Sequence, residues 1–366
     1  MNGSPTDEFL MGRGIRQGDP LASLLFIIVA EALNVMMCEA NLKGVFKGIQ
    51  LPNSGPIISH LQFADDVLFI GDWSRSNVFN LIRLLRCFQL SSGLKVNINK
   101  SSILGVGVEM SYVLSMAERV NCKAGHLPFT YLGLPIGASM NKGDSWAPLI
   151  EKFRTKLPSW KASTLSFRGR LVPTKGVLGS LGLYFLSLFK APKKIIKKLE
   201  SIRCNFFWGS KDGLRKIAWM NWQSVIAKKE EGGLGIGSLQ GQNLALLSRW
   251  WWRFKTEQNS LWKKVIASLH GADGGLVNFS KLGNFAGSWR NIIKIKIDFD
   301  KLNLPINSWF QRSDESSNSR WSWALDTSGT FSVSSTRIAY DGLFLNSSGC
   351  KLFSVDQMGA QKAEYP

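Results

Sequence analysis

Ile57-Ile58-Ser59-His60-Leu61-Gln62-Phe63-Ala64-Asp65-Asp66-Val67-Leu68-Phe69-Ile70-Gly71 sets two adjacent acids between apolar runs. Before them, Ile57, Ile58, Leu61 and Phe63 are interleaved with His60 and Gln62, the pattern of a half-buried strand. After them, Val67 to Ile70 is wholly apolar and closes at Gly71. Asp is a poor strand former, and an ionised carboxylate is costly to bury. The pattern therefore predicts a β-hairpin with Asp65 and Asp66 at its tip. Like charges there repel unless a cation lies between them, and Mg²⁺ takes hard oxygen donors of this kind. A solvated Asp-Asp turn fits the same residues, so the meaning of the pair depends on the rest of the chain.

The 366 residues are enough for a sizeable core and for two or three domains. A hydrophobic share of 45% with 11% aromatics argues for folding rather than disorder. Charge is concentrated: residues 141–270 carry 24 Lys or Arg against 7 Asp or Glu, while the remainder carries 21 against 19. A basic lobe beside a near-neutral one suggests a polyanionic partner held by one part of the chain. Five scattered cysteines (Cys38, Cys87, Cys122, Cys204, Cys350) and three histidines (His60, His126, His270) form neither a disulfide framework nor a zinc pattern. The polar start, Met1 to Thr6, is not a signal peptide. The apolar run Leu21–Ala30 is interrupted by Glu31 and Asn34 and reads as too short to span a bilayer. No membrane partner and no zinc are expected, and the chain is expected to be soluble and intracellular, nuclear or cytoplasmic.

Upstream of the hairpin, Gly12-Arg13-Gly14-Ile15-Arg16-Gln17-Gly18-Asp19-Pro20 feeds an apolar helix running to about Cys38, with Asp19 as N-cap and Pro20 in the first turn. Gly14 and Gly18 permit close backbone approach, and Arg16 and Gln17 offer donors to phosphate, sugar or base edges. Downstream, Asn77–Leu90 reads as an amphipathic helix, Leu94–Ser101 alternates like a strand, and Tyr131-Leu132-Gly133-Leu134-Pro135-Ile136-Gly137 makes a tight turn or short hairpin.

In order and spacing these segments resemble the palm of a non-LTR retrotransposon reverse transcriptase, closest to LINE-type elements of plants. Gly14 to Leu21 is similar to that family's template- and nucleotide-contacting loop, with Ala22-Ser23 where Ser-Pro is usual. Phe63-Ala64-Asp65-Asp66 resembles its metal-binding tetrad. Gly93 to Ser101 looks like the next palm motif, and Tyr131 to Gly137 like the primer grip. The resemblance implies an RNA-directed DNA polymerase using two Mg²⁺ or Mn²⁺ ions, an RNA template, a DNA primer and deoxynucleoside triphosphates. Asp65 would be the principal metal ligand, supported by Asp66. Gly14, Arg16, Gln17 and Gly18 would contact template or nucleotide, Tyr131, Leu132 and Gly133 the primer, and Lys100 the leaving pyrophosphate.

The basic stretch reads as helices: Trp146–Leu157, Leu165–Phe189 with a bend at Pro173, and one from Pro192 to Trp208 with Ile195, Ile196, Leu199 and Ile202 inward. It resembles the family's thumb, whose Arg168, Arg170, Lys193, Lys194, Lys197 and Lys198 would lie on the duplex backbone. Trp219, Trp222 and Trp250-Trp251-Trp252 suit base stacking or, more commonly, a core. Gly232 to Gly237 reads as a connector. Ser313–Ser319 reads as a polar linker, and Arg320 to Val333 as a hairpin turning at Ser328-Gly329.

The expected fold class is α+β. An incomplete palm with a ferredoxin-like sheet and helices (1–140) precedes a basic all-helical thumb and connection (141–270). A loosely structured, partly flexible C-terminal region lacking a zinc segment (271–366) completes the chain. In the family, a further metal-binding Asp and triphosphate-gripping fingers precede the glycine-rich loop; only 11 residues do so here, which implies a fragment inert alone. The competing readings are a non-catalytic nucleic-acid-binding remnant and a structural or pseudogene product.

Overall fold

The computed structural model describes residues 18–156, 164–210, 217–276, 287–313 and 320–346. They fall into two compact units, Met1–Leu127 and Pro128–Pro366.

In the first unit the Asp19 carboxylate accepts from the Leu21 amide at 2.9 Å and starts α1 (Pro20–Leu42). This helix runs one turn beyond the Cys38 that the sequence suggested, and Glu31 and Asn34 lie within it. Asn34 donates its amide to the Glu31 carboxylate at 3.0 Å, so the two polar groups partner each other on the helix surface. By length and composition α1 is able to cross a membrane, which corrects the expectation of too short a run. Its inward stripe is Leu33, Met37 and Ala40; Leu24, Leu25, Ile28 and Val35 are exposed. Strands β1 (Ile49–Gln50) and β2 (Ile57–Ile58) pair antiparallel, as do β3 (His60–Phe63) and β4 (Asp66–Phe69). Val67 and Phe69 turn their side chains onto a core of Leu33, Met37, Ala40, Phe46 and Phe88, the last from α2 (Arg75–Ser92). Asn77, almost fully buried, accepts from the Lys47 amide and donates to the carbonyls of Lys47 and Asp72, tying α2 to the segment before β1.

Leu94–Ser101 is not a strand. Asn97 accepts from the Lys100 amide and closes a 3₁₀ turn over Ile98–Lys100, a local bond that competes with sheet pairing. Strand β5 (Ser102–Ile103) then pairs parallel to β6 (Lys123–Ala124) across α3 (Met110–Val120). The chain is α+β, yet among the described residues every sheet has two strands, so the ferredoxin-like sheet is not formed. Strands of two to four residues leave their outer edges without a ladder; β4 is held by the core it packs on, and β5 and β6 by α3.

The second unit opens with the hairpin of β7 (Phe129–Tyr131) and β8 (Leu134–Ile136), turned by Leu132 and Gly133, both at positive φ. Helices α4 (Ala147–Lys156), α5 (Phe167–Ser180), α6 (Leu183–Leu188) and α7 (Lys193–Trp208) follow. They enclose Trp146, Phe153, Leu178, Leu186 and Leu199. Pro173 is accommodated inside α5; the chain breaks at Leu181-Gly182 instead, so the expected single helix is two. A short α8 (Trp222–Ile226) leads to α9 (Leu239–Thr256), then α10 (Leu261–His270), α11 (Ser288–Ile293) and α12 (Ile295–Asp300).

The described C-terminal residues, 287–313 and 320–346, are packed rather than loose. Trp289, Ile293, Phe299, Trp309, Phe310, Trp323 and Tyr340 pack with Trp251 and Phe254 into one core. The hairpin there joins β9 (Phe310–Ser313) to β10 (Arg320–Trp323), and the Ser328-Gly329 turn leads into α13 (Val333–Asn346), so the expected hairpin partner is a helix. The expected linker lies, from residue 314 to 319, outside the described residues. Trp251 is fully buried and donates its indole N–H to the Ile292 carbonyl; Trp250 donates to the Ser187 carbonyl. These tryptophans are core, not stacking platforms.

Candidate nucleic-acid and metal site

The register Phe63↔Asp66 leaves Ala64 and Asp65 as a two-residue loop, with Ala64 at φ +50°. Asp65 is therefore at the tip, while Asp66 is the first residue of β4. Both are exposed, and neither carboxylate makes a hydrogen bond or ion pair with a described residue. Their oxygens suit a hard divalent ion in chemistry. In number they fall short: no group of three or more His, Cys, Asp or Glu side chains gathers among the described residues. The hairpin thus offers two carboxylates of a larger ligand set. Lys100, exposed at the end of its 3₁₀ turn, pairs with neither acid. Gly18, at φ +93°, adjoins the Asp19 cap; Gly14, Arg16 and Gln17 lie outside the described residues.

The remaining expected contacts belong to the second unit. Tyr131 and Leu132 are half-buried and Gly133 is exposed on their hairpin. Arg168 is exposed in the first turn of α5, whereas Arg170 is partly buried, which lowers its pKa by desolvation. On α7, Lys193, Lys194, Lys197 and Lys198 all face solvent while Ile195, Ile196 and Leu199 face inward. None of the four lysines pairs with a described acid. They occupy the first turns of the helix, where its dipole disfavours cations, and 193/197 and 194/198 are like-charge neighbours. Nothing among the described residues offsets this repulsion; a polyanion would.

Sequence reading missed a polar network behind α7. Glu200 accepts from Arg203 Nη1, from the Trp222 indole at 2.9 Å and from the Leu239 amide at 2.7 Å. Arg203, 1% exposed, also donates to the Gly237 carbonyl. From α13, Asp341 accepts from the Ser238 amide and hydroxyl, so two distant acids complete the start of α9. The one signal was an Arg at an inward helical position.

Burial pushes the Asp341 carboxyl up to about 6, against the Ser238 bonds and the pull of Arg337. Because this value lies above the ordinary 3.8, the group's stabilising contribution is present at low pH and is lost as pH rises through about 6. Asp341→Asn removes that titration. The stability of the wild type relative to the variant is expected to fall by on the order of 2–3 kcal/mol between pH 4 and pH 7, read by urea denaturation. Parallel pH profiles would contradict it.

No protein-family model matches the sequence. Over 163 residues, 43% of this chain, it is 31% identical to the putative ribonuclease H protein At1g65750 of Arabidopsis thaliana, covering 26% of that protein. Over 115 residues, 31% of this chain, it is 32% identical to the uncharacterized mitochondrial protein AtMg00310 of Arabidopsis thaliana, covering 75% of it. The chain belongs to the family of that mitochondrial protein. The kinship extends to the uncharacterized 149 kDa protein of transposon TX1 from Xenopus laevis, 24% identical over 249 residues, 66% of this chain and 18% of that protein. Family membership together with these wider likenesses marks a retrotransposon-derived protein. The match spans about a quarter of the ribonuclease H relative and about a fifth of the transposon protein.

Proposed function

We propose that this chain is the palm-and-thumb part of a non-LTR retrotransposon reverse transcriptase. The observation that carries this reading is the tight hairpin whose Asp65 and Asp66 side chains are exposed and unpaired, with the strand that follows packed on the core through Val67 and Phe69. Asp65 and Asp66 would hold divalent metal there, with further oxygen ligands coming from outside the described residues. Bound Mg²⁺ supplies charge stabilisation for nucleotidyl transfer. The hairpin's part is to fix two carboxylates on a rigid base, and the part of α7 is to hold the duplex backbone without reading sequence. Lys100 would meet the leaving pyrophosphate.

Titration of the full chain with Mn²⁺, followed by NMR line broadening, tests the metal role. Broadening centred on residues 63–67 that Asp65→Ala abolishes is expected; its absence would sink that role. Primer extension on an RNA template with Mg²⁺ or Mn²⁺ tests polymerisation, and any extension is expected to disappear in Asp65→Ala. A second reading, a non-catalytic duplex-binding protein, is favoured by the four unpaired lysines of α7 and the short carboxylate set. It predicts salt-sensitive binding that Asp65→Ala leaves intact.

A further inference from the structure

A cavity of about 210 Å³ in the second unit gathers positive charge that neither the hairpin nor α7 accounts for. Its walls carry Lys175 of α5, Lys228 and Lys229 following α8, and Arg337 of α13. Three glycines border these heads, and at Gly237 the approach is tight. A Cβ on Gly237 would fall 3.0 Å from the Arg337 guanidinium carbon, and one on Gly235 would fall 3.9 Å from Lys175 Nζ. On the α13 side, a Cβ on Gly342 would fall 3.4 Å from Lys228 Nζ. Gly235 and Gly237 also hold positive φ, so the loop that reads as a connector has a conformation that other residues would strain, and at Gly237 a side chain would crowd Arg337. Two acids line the same cavity. Asp341 is engaged by Ser238, and Glu230 is exposed. Lys228 lies 3.7 Å from Glu231, but Lys175, Lys229 and Arg337 form no ion pair with a described acid. Arg337 is attracted to Asp341, yet four cations line the cavity against two acids, and an anion seated among them lowers the remaining repulsion.

We propose that this cavity binds a phosphate group. Its volume is below the roughly 300–1,000 Å³ of pockets that enclose drug-sized ligands, so it suits one or two phosphates rather than a whole nucleotide. Several ammonium groups and a guanidinium fork are the donors that phosphate oxygens take. The phosphate can be free, as orthophosphate or pyrophosphate, or part of a nucleic-acid backbone. The proposal does not rest on the polymerase reading, since its residues are separate from the hairpin and from α7.

The test is calorimetric titration of the full chain with orthophosphate and pyrophosphate at fixed ionic strength, and fluorescence anisotropy with an RNA–DNA duplex. The wild type is compared with Lys175→Ala/Lys229→Ala, with Arg337→Gln, and with Lys193→Ala/Lys197→Ala on α7. Both cavity variants are expected to weaken at least one probe tenfold or more. Loss confined to the free anions identifies a free-phosphate site, and loss confined to the duplex identifies a backbone contact. The proposal is overturned if no probe loses affinity in the cavity variants, or if the α7 variant weakens the free anions equally, which would mean diffuse charge.

Discussion

Arg203→Ala is expected to lower the stability of the second unit by about 3–5 kcal/mol, the usual cost of removing one partner from a buried ion pair. The side chain is 1% exposed, and its Nη1 lies 3.1 and 3.0 Å from the two Glu200 oxygens. Without it, Glu200 keeps only neutral donors, the Trp222 indole and the Leu239 amide, and the Gly237 carbonyl loses its guanidinium donors. Arg203→Lys is expected to recover only part of the loss, because a single ammonium cannot reproduce the planar fork. An apolar replacement of both partners should cost less than Arg203→Ala alone, since it leaves no unpaired charge. Urea denaturation measures all three. A loss below about 1 kcal/mol for Arg203→Ala would mean that the pair does not hold α7 to α9.

Replacing Lys193, Lys194, Lys197 and Lys198 together by Ala is expected to cut affinity for an RNA–DNA duplex by about two orders of magnitude or more at low salt. The slope of log K against log salt is also expected to flatten by up to about 4, near one for each phosphate that the helix no longer neutralises. Folding should be unharmed, because all four are exposed and unpaired and their charges oppose the helix dipole. Anisotropy titrations over a range of salt give both quantities. An unchanged slope would assign the duplex to another surface and leave the basic face of α7 as a solvated one.

Much of the architecture near the acids was legible because local rules governed it. The Asp19 cap, the hairpin around Asp65-Asp66 and the inward set Ile195, Ile196 and Leu199 each follow from short-range pattern, and each is seen, although Leu61 and Phe63 of β3 are exposed where the alternation placed them inward. Leu94–Ser101 misled because its alternation mimics a strand, whereas Asn97 closes a tighter turn with its own side chain. The single helix expected over Leu165–Phe189 misled because Leu181-Gly182 breaks the chain between α5 and α6, a break the apolar run conceals. The C-terminal part looked loose because its aromatics are spaced too irregularly for one period. Only the folded chain brings Trp289, Trp309, Trp323 and Tyr340 against Trp251. The Glu200–Leu239 and Ser238–Asp341 bonds join residues 39 and 103 positions apart, distances at which no sequence window registers partners.

The aromatic core has a spectroscopic consequence. Of fourteen tryptophans, only Trp73 precedes residue 128; the other thirteen belong to the second unit. Intrinsic emission therefore watches that unit almost alone, whereas far-ultraviolet circular dichroism weighs the helices of both. Following one melt by the two optical signals separates the transitions of the units without a label, and Trp73→Phe would leave the emission trace reporting a single body.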